Sequence, residues 1–152
     1  ETRSAQETFQ LGKELGEKAY PGQVFTLTGD LGVGKTVFTQ GFAAGLGITE
    51  PVNSPTFTIV QVYEEGRLPF YHFDVYRLED VSELENIGFY EYTEDCVSIV
   101  EWADKFPHEL PDETLWIYLT RIDDTNRSIT LVSDYLTADD LVEIGGPYVV
   151  GN

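Results

Sequence analysis

A chain of 152 residues with 41% hydrophobic and 13% aromatic side chains is long enough for one packed domain and too apolar to be disordered. A net charge of −18, from 9 Lys and Arg against 27 Asp and Glu, repels phosphate backbones and argues against direct, independent nucleic-acid binding. A single cysteine excludes an internal disulfide framework and suits a reducing cytoplasm, and no apolar run approaches the roughly 18 residues of a membrane span.

In chain order, Ser4-Ala5-Gln6-Glu7 has the form of a capping box and opens a helix with Phe9, Leu11, Leu15 and Ala19 as its apolar stripe. The turn pair Pro21-Gly22 leads into Val24–Thr28, a strand by its β-branched and aromatic residues. The next segment, Gly29-Asp30-Leu31-Gly32-Val33-Gly34-Lys35-Thr36, satisfies G-x-x-x-x-G-K-[ST] at every fixed position. Glycines at this spacing let successive backbone N–H groups curl around phosphate oxygens, and the following helix aims its positive end at the anion. Lys35 then reaches the β- and γ-phosphates, and the Thr36 hydroxyl suits Mg²⁺. Val37, Phe38, Gly41, Phe42, Gly45 and Leu46 recur at helical spacing, with Gly47 as a stop. The motif therefore has the strand-before, helix-after context that a phosphate loop requires.

The loop Pro51–Pro55 precedes a strand over Thr56–Tyr63. Glu64-Glu65-Gly66-Arg67 turns the chain into a second strand, Pro69–Asp74, antiparallel to the first. Val81, Leu84, Ile87 and Gly88 predict a short helix, and Val97–Val100 a buried strand ending at Glu101-Trp102. Leu115–Leu119 and Ser128–Val132 flank the polar turn Asp123–Asn126 as a hairpin. Beyond Thr137, Gly145-Gly146-Pro147 argues against regular structure, which leaves residues 135–152 poorly defined. The fold class is α/β. Residues 1–152 read as a single P-loop NTPase domain whose mixed sheet, with a parallel core and antiparallel hairpins, is flanked by helices.

Phosphoryl chemistry at such a loop needs Mg²⁺ held by the loop hydroxyl and a strand-end acid. Glu101 follows the apolar run Val97–Val100 as such an acid should, and Asp74 ends the strand before it. Thr56 sits about twenty residues after the loop, in the place of a threonine that senses the γ-phosphate in nucleotide switches. Trp102, next to Glu101, is either core packing or a stacking surface near the nucleotide. Arg77 reads as a partner for one of the many carboxylates. His72 reads as a packed histidine, Cys96 as buried and His108 as having no role. No N-K-x-D occurs, which removes the usual guanine-reading element and favours adenine.

Four ordered segments, TGDLGVGKT (Thr28–Thr36), NSPTF (Asn53–Phe57), YHFDVYRL (Tyr71–Leu78) and VEW (Val100–Trp102), resemble the TsaE (YjeE-type) P-loop ATPases of tRNA threonylcarbamoyladenosine biosynthesis. The likeness spans about residues 4 to 132. It implies a cytoplasmic protein that binds ATP with Mg²⁺ and hydrolyses it weakly. It also implies partnership with the TsaD–TsaB pair, which transfers the threonylcarbamoyl group to tRNA. By motif match the nucleotide residues are Gly29, Asp30, Leu31, Gly32, Val33, Gly34, Lys35, Thr36, Val37, Thr56 and Trp102. Lys35, Asp74 and Glu101 are the catalytic set, and Thr36, Asp74 and Glu101 the magnesium set. The alternative is a small-molecule kinase of the P-loop class. Only four arginines follow residue 50 and none cluster, which argues against the Arg-rich lid such kinases use. A nucleotide-gated binding module with negligible hydrolysis is a third option.

Overall fold

The computed structural model describes residues 1–29, 33–50, 52, 60–75, 79–80, 82–83, 96–103, 106–110, 113–133 and 136–148. At its centre lies β1 (Val24–Thr28), buried from Val24 through Leu27, as a strand covered on both faces must be. Around it the sheet places β2 (Val60–Tyr63), β3 (Phe70–Asp74), β4 (Val97–Glu101), β5 (Thr114–Arg121) and β6 (Arg127–Val132) in the order β2-β3-β4-β1-β5-β6. The four inner strands run parallel, and β2 and β6 close the edges antiparallel. The mixed sheet expected from sequence is therefore present, with its parallel core at the middle. The β2 strand is described from Val60 only. The segment 53–59, and most of the helix expected around Val81–Gly88, lie outside the described residues.

One face of the sheet carries the helices. The first, α1 (Ala5–Lys18), starts at Ser4, whose side chain accepts from the Glu7 amide at 3.1 Å. The Glu7 carboxylate bonds the amide of Arg3 at 3.0 Å, one residue outside the expected box. Leu11, Leu15 and Ala19 are buried as the stripe predicts. Phe9 is only half-buried, and Thr8, Gly12 and Gly16 complete the inner face. The reason is the neighbouring helix α2 (Lys35–Gly45), which lies too close for large side chains between the two. A β-carbon on Gly12 or Gly16 would overlap the Phe38 or Phe42 carbonyl, and one on Gly41 would overlap that of Phe9. Phe38 and Phe42 point the other way, onto the sheet, where Phe42 meets Phe25 and Phe70 at ring-centroid distances of 5.1 and 5.3 Å. The opposite face of the sheet is packed by Phe73, Val100, Ala103 and Phe106.

Residues beyond Thr137 correct the sequence expectation. They form α3 (Ala138–Gly145), opened by a reciprocal box in which the Thr137 hydroxyl accepts from the Asp140 amide and the Asp140 carboxylate from the Thr137 amide. Leu141 and Ile144 pack against the core beside α1. The Gly145-Gly146-Pro147 run ends a helix, with Gly146 at φ 55°, and does not prevent one before it. No helix among the described residues is long and apolar enough to cross a membrane.

Candidate functional site

Parallel strands bring their carboxyl ends to one edge, and in this sheet that edge collects the expected acids. Leu27 of β1 pairs with Glu101 of β4, and Glu101 in turn with Asp74 of β3. Two residues past Leu27 the glycine-rich loop begins at Gly29, and α2 starts from the same edge at Lys35. Its cap, Gly34, sits at φ 110°, a left-handed conformation that a β-carbon would disfavour. The first turn of α2 contains no acidic residue, so no side chain of that turn offsets the positive end of the helix.

Lys35 is drawn inward. Its Nζ lies 3.4 Å from Oε1 of Glu101 and 5.6 Å from the centroid of the Trp102 ring. Trp102 is the first residue after β4 and stands at φ 64°, where a bulky side chain costs about 1–2 kcal/mol. This backbone turn leaves the indole 42% exposed beside Lys35 rather than in the core. Leu27, Thr28, Gly29, Lys35 and Trp102 together line a small open cleft.

Glu101 is only 5% exposed. Burial pushes its carboxyl upward, but the hydrogen bond and attraction of His72, followed by those of Lys35, outweigh this and hold it below its ordinary value. The His72 contact is the shorter of the two, with Nε2 2.6 Å from Oε2. The acid is thus held ionised between a buried imidazole and the loop lysine.

Of the residues expected at the site, the structure brings together Gly29, Gly34, Lys35, Glu101 and Trp102, with Asp74 half-buried at the end of the adjacent strand. Val33 is buried behind the loop, and Thr36 and Val37 follow Lys35 in the first turn of α2, Thr36 exposed. Asp30, Leu31, Gly32, Thr56 and Arg77 lie outside the described residues. Cys96 is buried as expected, and His108 is exposed in a short turn at Pro107–Glu109.

Two participants were not assigned to the site from the sequence. His72 is packed, as expected, but it also grips Glu101. Its position two residues before Asp74 on one strand, and hence on the same face, was the available signal. Arg127 donates from Nε to the Val33 carbonyl at 2.8 Å, a contact across 94 positions that no local pattern announces.

A family model described as "Threonylcarbamoyl adenosine biosynthesis protein TsaE" matches residues 2–129. The chain belongs to the TsaE family. A TsaE of Bacillus subtilis is 50% identical over 133 residues, covering 87% of this chain and 83% of that protein. A TsaE of Treponema pallidum is 44% identical over 131 residues, covering 86% and 96% respectively. The crystal structure of Bacillus subtilis YdiB superposes with a TM-score of 0.70 at 44% identity, over 84% of this chain and 79% of that one. The TsaE match includes every site residue named above, and α3 follows its end.

Proposed function

We propose that this TsaE-family chain is a Mg²⁺-dependent ATP-binding protein with weak ATPase activity, acting with the TsaD–TsaB complex in threonylcarbamoyladenosine modification of tRNA. The observation that carries the reading is the Lys35–Glu101 pair, set where β1 and β4 end and α2 begins. A lysine paired to a buried acid in a phosphate loop is a cation poised to exchange one set of oxygens for another. Phosphate oxygens entering the cleft compete with Glu101 for Lys35 and release the carboxylate for a second role.

The residues present fit magnesium nucleotide. Gly29 and Gly34 stand at the two ends of the glycine-rich loop, and Thr36 offers a hydroxyl in the first turn of α2. Glu101 is kept ionised and Asp74 stands beside it in register. Among the described residues no three His, Cys, Asp or Glu side chains converge as a ready-made metal cage. That suits Mg²⁺, which is commonly held by one or two carboxylates together with the substrate's phosphates. Mg²⁺ bound there would supply positive charge against the negative charge of the phosphates. Lys35 would bind and orient the phosphates, and Glu101 with Thr36 and Asp74 would hold the cation. Trp102 supplies an apolar wall beside the lysine.

The absence of clustered arginines supports a slow turnover governed by partners rather than a metabolite kinase. The acidic surface, with 19 of the 27 acidic residues in 71–152, suits a protein that meets tRNA only through other proteins. The deciding experiment is ATP hydrolysis by the purified chain with and without TsaD–TsaB, paired with a nucleotide-dependent pull-down. Stimulated turnover and ATP-sensitive association are expected. Association indifferent to nucleotide would remove the reading, and ADP formation strictly dependent on an added metabolite would replace it with a kinase.

A further inference from the structure

We infer that His72 is a positioning residue: through Nε2 it holds Oε2 of Glu101, leaving Oε1 as the oxygen presented to Lys35 and to whatever displaces it. The inference rests on the proposed reading of the site as one for magnesium nucleotide, and it assigns a task to a residue that acts through Glu101.

The two side chains come from neighbouring parallel strands and share the helix-bearing face of the sheet. His72 pairs in register with Ile99, two residues before Glu101. His72 is 1% exposed and Glu101 5%, so water does not compete for their contact. An ionised carboxylate only accepts hydrogen bonds, so His72 must carry its hydrogen on Nε2. The separation of 2.6 Å lies at the short end for bonds to a charged acceptor.

The rest of the imidazole explains why this bond matters. Its ring stacks on Phe70 with centroids 6.0 Å apart, a packing role that any flat apolar ring could fill. Its Nδ1 is buried and has no hydrogen-bond partner, a burden that an apolar ring would not carry. What the histidine adds to the core, relative to an apolar side chain, is the single bond to Glu101.

That bond has a directional consequence. A free glutamate rotates about its last torsion, and either oxygen can face a ligand. Here Oε2 is committed to the core and Oε1 meets Lys35 at 3.4 Å. If phosphate draws Lys35 away, Oε1 is released while His72 keeps the carboxylate in place. Partners that orient a metal-ligating carboxylate in this way are commonly worth 10- to 100-fold in metal affinity.

The test compares His72→Leu, which removes the donor, with His72→Gln, whose side-chain amide restores a donor at similar reach. ATP affinity is measured by calorimetry in EDTA and across a Mg²⁺ titration. His72→Leu is expected to raise the Mg²⁺ concentration needed for tight ATP binding by about tenfold, with metal-free affinity changed less than twofold. His72→Gln is expected to recover most of the loss. Added to Glu101→Gln, His72→Leu should produce no further weakening. The proposal is overturned if folded His72→Leu titrates like the wild type, if folded His72→Gln is as weak as Glu101→Gln, or if the effects of His72 and Glu101 add. Should His72→Leu not fold, the imidazole resonance decides in its place. A slowly exchanging imidazole Nε2–H resonance in the ligand-free protein, lost in Glu101→Ala, tests the bond without nucleotide. A wild type that binds ATP no better with Mg²⁺ than without defeats the reading of the site, whereas a missing resonance defeats the contact itself.

Discussion

Arg127, the first residue of β6, donates its Nε hydrogen to the carbonyl of Val33 at 2.8 Å and so ties the sheet edge to the phosphate loop. Its Nη1 also caps the carbonyls of Asp123 and Asn126, and its backbone exchanges bonds with Thr2 just before α1. Its side chain thereby ties the loop to the 123–126 turn, while its backbone holds Thr2. A hydrogen bond from a charged donor is worth about 1.5–3 kcal/mol, so Arg127→Ala should weaken ATP binding by about tenfold or more while leaving the sheet folded. Calorimetric affinity with circular dichroism checks this; unchanged affinity would show that the loop holds its shape unaided.

Lys35 and Glu101 should separate binding from turnover. Lys35→Ala removes the cation proposed to meet phosphate and leaves Glu101 with His72 alone, so both ATP binding and hydrolysis should fall. Glu101→Gln keeps the side chain's size and its tie to the histidine but removes the charge. It is expected to bind metal-free ATP nearly as well as the wild type and to lose about 100-fold or more in single-turnover phosphate release. Equal losses of metal-free binding in both variants would contradict these separate roles.

Trp102 should act as a built-in reporter. With Lys35 Nζ 5.6 Å from its ring, its emission should change when phosphate draws the lysine away, whereas Trp116, half-buried on β5, should respond little. Titrating ADP into the wild type and Trp102→Phe checks the assignment. A signal that survives in Trp102→Phe places the reporter elsewhere.

The parts of this site that were legible in sequence are those carried by short, local patterns. Strand, glycine-rich loop and helix lie next to one another in the chain, and Glu101 ends an apolar run. Position along the chain alone does not tell that β4, rather than β3, is the direct neighbour of β1. The sheet order decides this, and it sets Glu101 beside the loop with Asp74 one strand further out. The His72–Glu101 and Arg127–Val33 contacts are products of the same long-range order. The helix α3 was missed for a different reason. Its stop signal, Gly145-Gly146-Pro147, is louder than the Thr137–Asp140 box that starts it.

The tight helix pair makes a stability prediction with its own control. A methyl group at Gly41 meets the backbone carbonyl of Phe9, which cannot move without separating α1 from α2. Gly47 stands at φ 86° with nothing within 4 Å of an added β-carbon, so its substitution incurs backbone strain alone. Gly41→Ala should cost about 3 kcal/mol, or about 6–12 °C in Tm for a chain of this size, against about 1 kcal/mol for Gly47→Ala. Thermal melts of the two variants side by side test the ordering. If Gly47→Ala proves the more damaging, strain outweighs overlap and the helix interface is looser than it looks.

The last prediction concerns acid. Burial raises the Glu101 carboxyl, but His72 and Lys35 prevail and its folded value lies below the ordinary 4.5. Asp123, fully exposed, is held at about 2 against an ordinary 3.8 because the Asn126 side chain and the amides of Asn126 and Thr125 donate to it. In both cases the unfolded chain takes up the proton at higher pH than the folded one. Their stabilisation is therefore complete above the ordinary values and is lost as pH falls through the folded ones. The Tm gap between wild type and Asp123→Ala should be constant from neutral pH down to about 5, then narrow steadily toward pH 2. For Glu101→Gln the wild type should lose stability relative to the variant as pH falls below about 4.5. Melts in a pH series measure both curves. A gap for Asp123→Ala that stays constant to pH 2 would mean that the turn is held by its backbone and not by the carboxylate.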